Sequence, residues 1–552
     1  MIISKYDDGK KIFKAWRENG KRKVETVDFN PYFYVLDEEN EIPSYRPNKY
    51  VTRDFEYSYG DWVNLNGESL KRVHVESSHD IRKAKKLFSQ TYEADVPYHF
   101  RYCVDELHEM HEYNMRKWYW DMEWQQGGEY HDCITTIVVY DNYEKEYYQW
   151  VWFPNPFSQA DEFNSSNKLV FDNEKEMLED FITTMIVKDP DMLIAWFGNF
   201  ADIPKLLDRT CVLGLNPLIM SPIGSVKGVK KTKNGFNFLY AENGFTPIEQ
   251  PIGGRITLNL DLAFERQWND SQRGTLPSMS LDYISETVLN EKKLVSKKFP
   301  DPNEFYRRAW LEDTDTYLEY ALKDVELIVR IDETNYCSEA ILSLQRLLKA
   351  PFDACFYASH MGSIYFMRNA WWKAPTGNKD EERREYDGAM VYDPLSENTN
   401  GLHLNVAAFD FAGLYPAMMI ARNISWESKS NEPTEFGVNI KTPRDFTEVK
   451  QKEMLYYKTD ELGLLPRAVL ELKELRNEYK RLMREARESD NDNEYIKWYN
   501  NQMAVKRLMA SFYGIVAFQG FGWADVDLAA SITASAREAI RLAAFKAKEM
   551  EV

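Results

Sequence analysis

The sequence predicts a multidomain protein of mixed class, with α/β and α+β parts, on three observations. First, 552 residues exceed what one hydrophobic core holds, so three or more domains are expected. Second, three strand-like runs, "KWYWDMEWQ", "CITTIVVYD" and "EYYQWVWFP", precede an alternation of helix, strand and helix. That order suits a mixed sheet with flanking helices. Third, a long helical stretch from about 466 to 513 breaks once, at "SDNDN", as turn-forming residues break a helical hairpin.

Taken in order, residues 1–105 read as a β-rich domain with a buried strand in "PYFYVLD" and a capped helix in "SSHDIRKAKKLFSQ". Residues 106–335 hold the three strands, a helix ("EKEMLEDFITTMIV"), a buried strand ("DMLIAWF") and a helix starting near Asp202. The helix "DTDTYLEYALKDVELIVRID" closes that domain. Residues 336–385 read as a helical connection packed on the first domain, ending in the polar loop "TGNKDEERRE". Strands in "GAMVYDP" and "HLNVAAFDF" follow within 386–465, then the hairpin of 466–513, then a last helix within 514–552. No internal repeat or low-complexity segment interrupts this order.

Composition narrows the function. Aromatic residues make up 14% of the chain, which fits packed domains and opposes disorder. No run of 18 apolar residues occurs, and "MIISKYDDGKK" turns charged at once, so a soluble, cytoplasmic protein with no membrane role is expected. The five cysteines are scattered without a CxxC pair, which favours reduced thiols over a disulfide frame or a zinc site. Against 69 Lys plus Arg stand 88 Asp plus Glu, a net charge of −19. As a bulk property this opposes phosphate binding. Acidic residues are also metal ligands, so their local distribution decides.

Carboxylates gather in three places. Asp121 and Glu123 sit two apart on a predicted strand, where period-two geometry puts both on one face. Two such charges ionise together comfortably only around a cation; alone, the pair could equally be a solvent-facing edge. Asp202 falls where a strand gives way to a helix, a usual place for functional residues. Tyr320 and Asp324 stand at i and i+4 on one helix face, with Asp324 beside the apolar stripe of Leu318, Leu322, Val325 and Ile328.

The series Asp-x-Glu, then Asp after an apolar strand, then Tyr-x-x-x-Asp resembles the three proofreading motifs of family B DNA polymerases. The resemblance implies an RNase H-like 3′–5′ exonuclease domain over 106–335. It implies that Asp121, Glu123, Asp202 and Asp324 hold two divalent ions, Mg²⁺ or Mn²⁺, while Tyr320 orients the attacking water. The segment "SLDYISETVLNEKKL" resembles the stretch between the second and third motifs. One departure is that Phe197 and Ala201 stand where the family's second motif has Asn and Phe, positions that seat the DNA end.

"FDFAGLYPAMMIARNIS" resembles the family's palm motif. A strand delivers Asp410, and Tyr415-Pro416 opens a helix with proline in its first turn. The resemblance implies that Asp410, with the Phe411 carbonyl, holds the polymerase metals. Phe411, Leu414 and Tyr415 would contact the nucleotide, Tyr415 lying under the sugar and excluding ribonucleotides. Gly413 and Ala417 replace the family's serines. In the hairpin, Arg476, Lys480 and Arg484 form a basic stripe, and Lys506, Ala510 and Tyr513 share a face at i, i+4 and i+7. These resemble the fingers motif, which implies that Arg476, Lys480 and Lys506 grip a triphosphate and that Tyr513 lines its pocket; Ala510 replaces an Asn. Tyr386 and Gly388 of "YDGAMV", with Gly514, would touch DNA, and 528–540 resembles the palm helix after the fingers. The implied layout is palm over 386–465 and 514–552, with fingers over 466–513.

No Tyr-x-Asp-Thr-Asp run, the family's second palm carboxylate motif, occurs in the 552 residues, and no thumb is recognisable. The resemblance therefore implies an incomplete right-hand polymerase that a second polypeptide completes. A stand-alone single-strand exonuclease with a relic palm, a fragment of a longer gene, and a non-enzymatic scaffold are the other readings. Expected partners are primer-template and single-stranded DNA, dNTPs, the completing polypeptide and a sliding clamp, at a nucleoid or viral replication site.

Overall fold

The computed structural model describes residues 1–154, 167–239, 244–268, 274–377, 384–390 and 410–550. Two compact units emerge, residues 1–29 with 108–356 and residues 30–107 with 357–552.

The first unit is built on a six-stranded sheet in the order β4-β3-β2-β1-β5-β6. The three expected strands, β1 (Lys117–Trp124), β2 (Ile134–Asp141) and β3 (Glu146–Trp152), pair as an antiparallel meander. β4 (Lys168–Phe171) joins β3 in parallel, and β5 (Met192–Ala195) pairs in parallel with both β1 and β6 (Ile256–Asn259). Helices α1 (Glu174–Lys188), α2 (Asp202–Val212), α3 (Leu281–Leu289), α4 (Pro302–Glu312) and α5 (Thr314–Asn335) flank it.

Alternation along β1 separates two faces. Trp118, Trp120 and Met122 enter a large core with Trp150 and Phe181, while Tyr119, Asp121 and Glu123 face the other way. α5 covers that other face: the Tyr119 hydroxyl donates to Asp332 at 2.7 Å, and Thr135 meets the Tyr317 hydroxyl at 2.6 Å. With both faces covered, β1, β2, β5 and β6 are almost wholly buried, while β3 and the edge strand β4 are less so.

The N-terminal strands 2–5, 11–18 and 21–28 belong to this unit, so the expected 1–105 segment is shared between two bodies. The physical reason lies in buried charge. Arg17 ion-pairs with Asp191, and Arg22 reaches Asp189 at 2.6 Å; charges so buried persist only when paired. The helix Cys337–Leu348, expected in a connection, also groups here. Lys117 Nζ holds it through Ser338 (3.0 Å) and Glu339 (2.8 Å).

In the second unit the buried strand Tyr32–Leu36 pairs with Ser69–His74, which also pairs with Glu56–Val63. "SSHDIRKAKKLFSQ" forms short 3₁₀ and α turns over 78–87, with Ser77 accepting from the His79 amide at 3.4 Å. The rest of the unit carries α6 (Leu414–Ala421), α7 (Leu464–Glu488), α8 (Asp492–Ala517) and α9 (Val526–Glu549). α7 and α8 are the arms of the expected hairpin. Asn491 caps the return arm by accepting from the Glu494 amide at 3.2 Å. The expected strand 403–411 lies outside the described residues except for Asp410 and Phe411, as does all of "GAMVYDP" beyond residue 390. Among the described residues, no helix is long and apolar enough to cross a membrane.

Candidate active site

The carboxylates that sequence spacing singled out converge in the first unit. Oxygens of Asp121, Glu123 and Asp324 lie within 4.8 Å of one another. Asp202 lines the same cavity, whose volume is about 340 Å³. Each element delivers its residue for a local reason. β1 presents Asp121 and Glu123 on its α5-facing side, opposite Val138 and Thr136 of β2. Asp202 is the first residue of α2, carried there by the turn after β5. Asn199 pins that turn by donating to the carbonyls of Thr246 (3.1 Å), Pro247 (3.2 Å) and Glu249 (2.8 Å). Tyr320 and Asp324 lie one turn apart on α5, both buried.

Packing four carboxylates into a sheltered cleft is unfavourable unless something offsets them. Burial, then Asp202, Glu123 and Asp324, pushes the Asp121 carboxyl well above the usual range. Burial and Asp324 lift Glu123 to about 8, and burial lifts Asp202 to about 7. Asp324 is raised by burial as well, while Lys293 pulls it down.

Lys293 was not singled out from the sequence, and it is the main charge partner of the cleft. Its Nζ donates to Asp324 Oδ2 at 2.7 Å and to the Tyr320 hydroxyl at 3.2 Å. Burial opposes its charge, but Asp324, Asp121 and Glu123 hold the ammonium above the ordinary lysine value. Its place is fixed by Asp282 of α3, which accepts from the Lys293 amide at 2.9 Å. The sequence signal was the segment "SLDYISETVLNEKKL" itself, which contains both ends of that bond. Tyr306 of α4 was also missed; its hydroxyl meets that of Tyr320 at 2.9 Å. Phe197 and Ala201, the two departures from the family motif, line the cavity too. Phe197 is more than one third exposed there, and so is Phe200 in the same turn.

The donor set fits a hard divalent cation. All its ligand atoms are carboxylate oxygens close enough to share an ion, the donors Mg²⁺ and Mn²⁺ prefer. The inner oxygen of Asp324, Oδ1, is buried without a hydrogen-bond partner.

The second unit holds the other predicted residues. Asp410 and Phe411 are exposed just before α6. Gly413 begins that helix at φ +72°, a left-handed conformation that serine would strain. The Tyr415 ring lies 4.7 Å from that of Tyr513, whose hydroxyl meets the Tyr386 hydroxyl at 3.0 Å. Tyr386, Tyr415 and Tyr513 therefore form one cluster. Arg537 of α9 holds the neighbouring 387–388 backbone, donating to the Asp387 carbonyl at 2.7 Å and to the Gly388 carbonyl. Gly514 is half-buried, and a side chain there would touch only Ala358, at 3.6 Å.

On α7 and α8, Arg476, Lys480, Arg484 and Lys506 gather. Burial and then the charges of Arg476, Lys506 and Arg484 depress Lys480. Arg476 donates to Gln502 at 3.2 Å. None of these four cations is ion-paired among the described residues, so their summed charge faces whatever anion enters.

Comparison with known proteins agrees with the expected likeness. Residues 363–550 match the model of DNA polymerase family B. A DNA polymerase of Pyrococcus glycovorans is 26% identical over 99% of this chain and 67% of its own length. The delta catalytic subunit of Plasmodium falciparum DNA polymerase is 26% identical over 68% of this chain and 34% of its own. Among solved structures, the family B DNA polymerase of Pyrobaculum calidifontis superposes with a TM-score of 0.71 at 17% identity. It covers 99% of this chain and 71% of that one. The chain is thus similar to DNA polymerases along nearly its whole length, and it spans about two thirds of theirs.

Proposed function

We propose that this relative of the family B DNA polymerases hydrolyses single-stranded DNA from its 3′ end, the work of a proofreading exonuclease. One observation carries the reading: the oxygens of Asp121, Glu123 and Asp324 meet within 4.8 Å, with Asp202 and Tyr320 lining the same cavity. The mixed sheet with helices on its faces supports an RNase H-like assignment for the first unit.

Asp121, Glu123, Asp202 and Asp324 would hold two Mg²⁺ or Mn²⁺ ions. When bound, the cations supply Lewis acidity and offset the negative charge with which a phosphodiester repels hydroxide. The protein's own groups do the rest. Tyr320, held by Lys293 and Tyr306, presents its hydroxyl beside Asp324 and orients the attacking water. Lys293 favours the ionised form of Asp324 against the effect of burial and leaves a cation beside the incoming phosphate. Phe197 and Phe200 offer exposed rings on which terminal bases stack, worth about 1–3 kcal/mol per base. Attack breaks the bond to the leaving 3′-oxygen and releases a 5′-mononucleotide. The test is digestion of a labelled oligonucleotide by the Asp121→Ala/Glu123→Ala variant. Activity should vanish while the fold persists, and undiminished digestion would refute the assignment.

The second unit supports a further reading, DNA-directed DNA synthesis. The observation favouring it is the unpaired group Arg476, Lys480 and Lys506 on facing helices, which suits a triphosphate. Tyr415, stacked near Tyr513, would form the floor under the sugar, and Asp410 would hold the catalytic cations with the Phe411 carbonyl. Such a site needs a second aspartate, because one carboxylate cannot hold two cations ~4 Å apart. The sequence contains no Tyr-x-Asp-Thr-Asp run. We assign that motif and the thumb to the remaining third of the polymerase, whether on this polypeptide or another. Primer extension by the chain with and without such a fragment tests this. In the assembled enzyme, Tyr415→Ala should admit ribonucleotides; equal rejection by both forms would refute the sugar-gate role.

A further inference from the structure

We propose that Tyr306 is a positioning residue of the exonuclease site, one that sets the direction of the Tyr320 hydroxyl proton. The inference rests on the exonuclease reading above and concerns a residue that no motif marked.

The argument is one of lone pairs and protons. A tyrosine hydroxyl has one proton to give and two lone pairs to receive. Lys293 Nζ, 3.2 Å from the Tyr320 oxygen, is an ammonium and can only donate, so it occupies one lone pair. The Tyr306 oxygen lies 2.9 Å from the same atom, in a bond either hydroxyl could donate. Donation from Tyr320 would spend its proton on a neutral phenol. Donation from Tyr306 fills the second lone pair and leaves the Tyr320 proton free to face the cleft, where Asp324 stands one helical turn on and shares Lys293 with it. A hydrogen bond to an ionised acceptor is roughly twice as strong as one between neutral groups. The chain of donation therefore runs Tyr306 to Tyr320 to the carboxylate side of the cleft. There the same proton faces the water or phosphate that takes its place.

The geometry is held rigid. α4 starts at Pro302 behind the Asp301 cap, which accepts from the Asn303 amide at 3.0 Å. Phe305, next to Tyr306, is buried with its ring 5.1 Å from Tyr320 and 5.7 Å from Tyr317. Ala309 and Trp310 anchor the far end of α4 in the core. The Tyr306 ring meets Tyr320 edge-on at 6.1 Å, so its hydroxyl has little freedom to turn elsewhere.

The test is a two-by-two set of variants assayed on single-stranded DNA with Mg²⁺. Tyr306→Phe keeps the ring and should lower kcat about tenfold, the size expected for losing one hydrogen bond in the transition state. KM and melting temperature should stay near wild type. Because Tyr306 acts through Tyr320, the double variant Tyr306→Phe/Tyr320→Phe should be no slower than Tyr320→Phe alone. Multiplying effects, or an unchanged kcat in Tyr306→Phe, would overturn the inference and leave the exonuclease reading intact. Absence of digestion by the wild-type chain would overturn both.

Discussion

The ammonium of Lys293 lies 2.7 Å from the carboxylate of Asp324, placing a positive charge inside a cleft that also holds Asp121 and Glu123. The pair is buried on the Asp324 side and about one quarter exposed on the lysine side. Removing one partner of such a pair leaves an uncompensated charge. Lys293→Met should therefore lower the melting temperature in EDTA, more at pH 8 than at pH 5.5, because Glu123, raised to about 8, is protonated at the lower pH and attracts the ammonium less. A loss equal at both pH values would show that the lysine contributes only packing.

The raised carboxylates predict a pH response of the metal-free protein. Glu123 at about 8 and Asp202 at about 7 bind protons more tightly when folded than when unfolded. Their favourable contribution is complete below about pH 4 and is lost as pH rises through 7 to 8. Melting temperature in EDTA should fall between pH 5.5 and 8.5, and Mg²⁺ or Mn²⁺ should flatten that fall. Parallel curves with and without metal would contradict the cation assignment.

Asp261 offers a control away from the carboxylate cluster. Burial lifts it to about 7, and its Oδ1 atom is buried without a partner. Ionisation above that pH works against folding. Relative to the protonated carboxyl it mimics, Asp261→Asn should stabilise the protein by on the order of 4 kcal/mol at pH 8.5 and about half that at pH 5.5, because an unfolded Asp already ionises near pH 4. Urea titrations at the two pH values measure both terms, and equal stabilities at pH 8.5 would contradict the burial argument.

The cations of α7 and α8 predict triphosphate binding by the second unit. Lys480→Ala/Lys506→Ala should weaken Mg²⁺–dNTP binding at least tenfold, since each lost charge-assisted contact costs about 1.5–3 kcal/mol. Equilibrium fluorescence with a labelled dNTP measures it, and unchanged affinity would remove these residues from the site.

Local periodicity made much of this legible in the sequence. Asp121 and Glu123 were visible because a strand repeats every two residues, and Tyr320 with Asp324 because a helix stacks i on i+4. The hairpin of α7 and α8 followed from its turn residues and stripes. What escaped depends on long-range pairing. Lys293 meets Asp324 across 31 residues, and Arg17 meets Asp191 across 174. No local pattern signals such partners, which is why 1–29 joined the first unit unforeseen. Tyr306 escaped for another reason: read along α4 it is one more aromatic beside Phe305, and only the fold brings its hydroxyl to Tyr320.

The most direct test of the central claim is a time course with 5′-labelled single-stranded DNA, the purified chain and Mg²⁺. The wild type should shorten the labelled strand one nucleotide at a time from the 3′ end, and Asp324→Ala, with its fold checked by circular dichroism, should leave it intact. Full-length label with the wild-type protein, or stepwise shortening that survives Asp324→Ala, would contradict it.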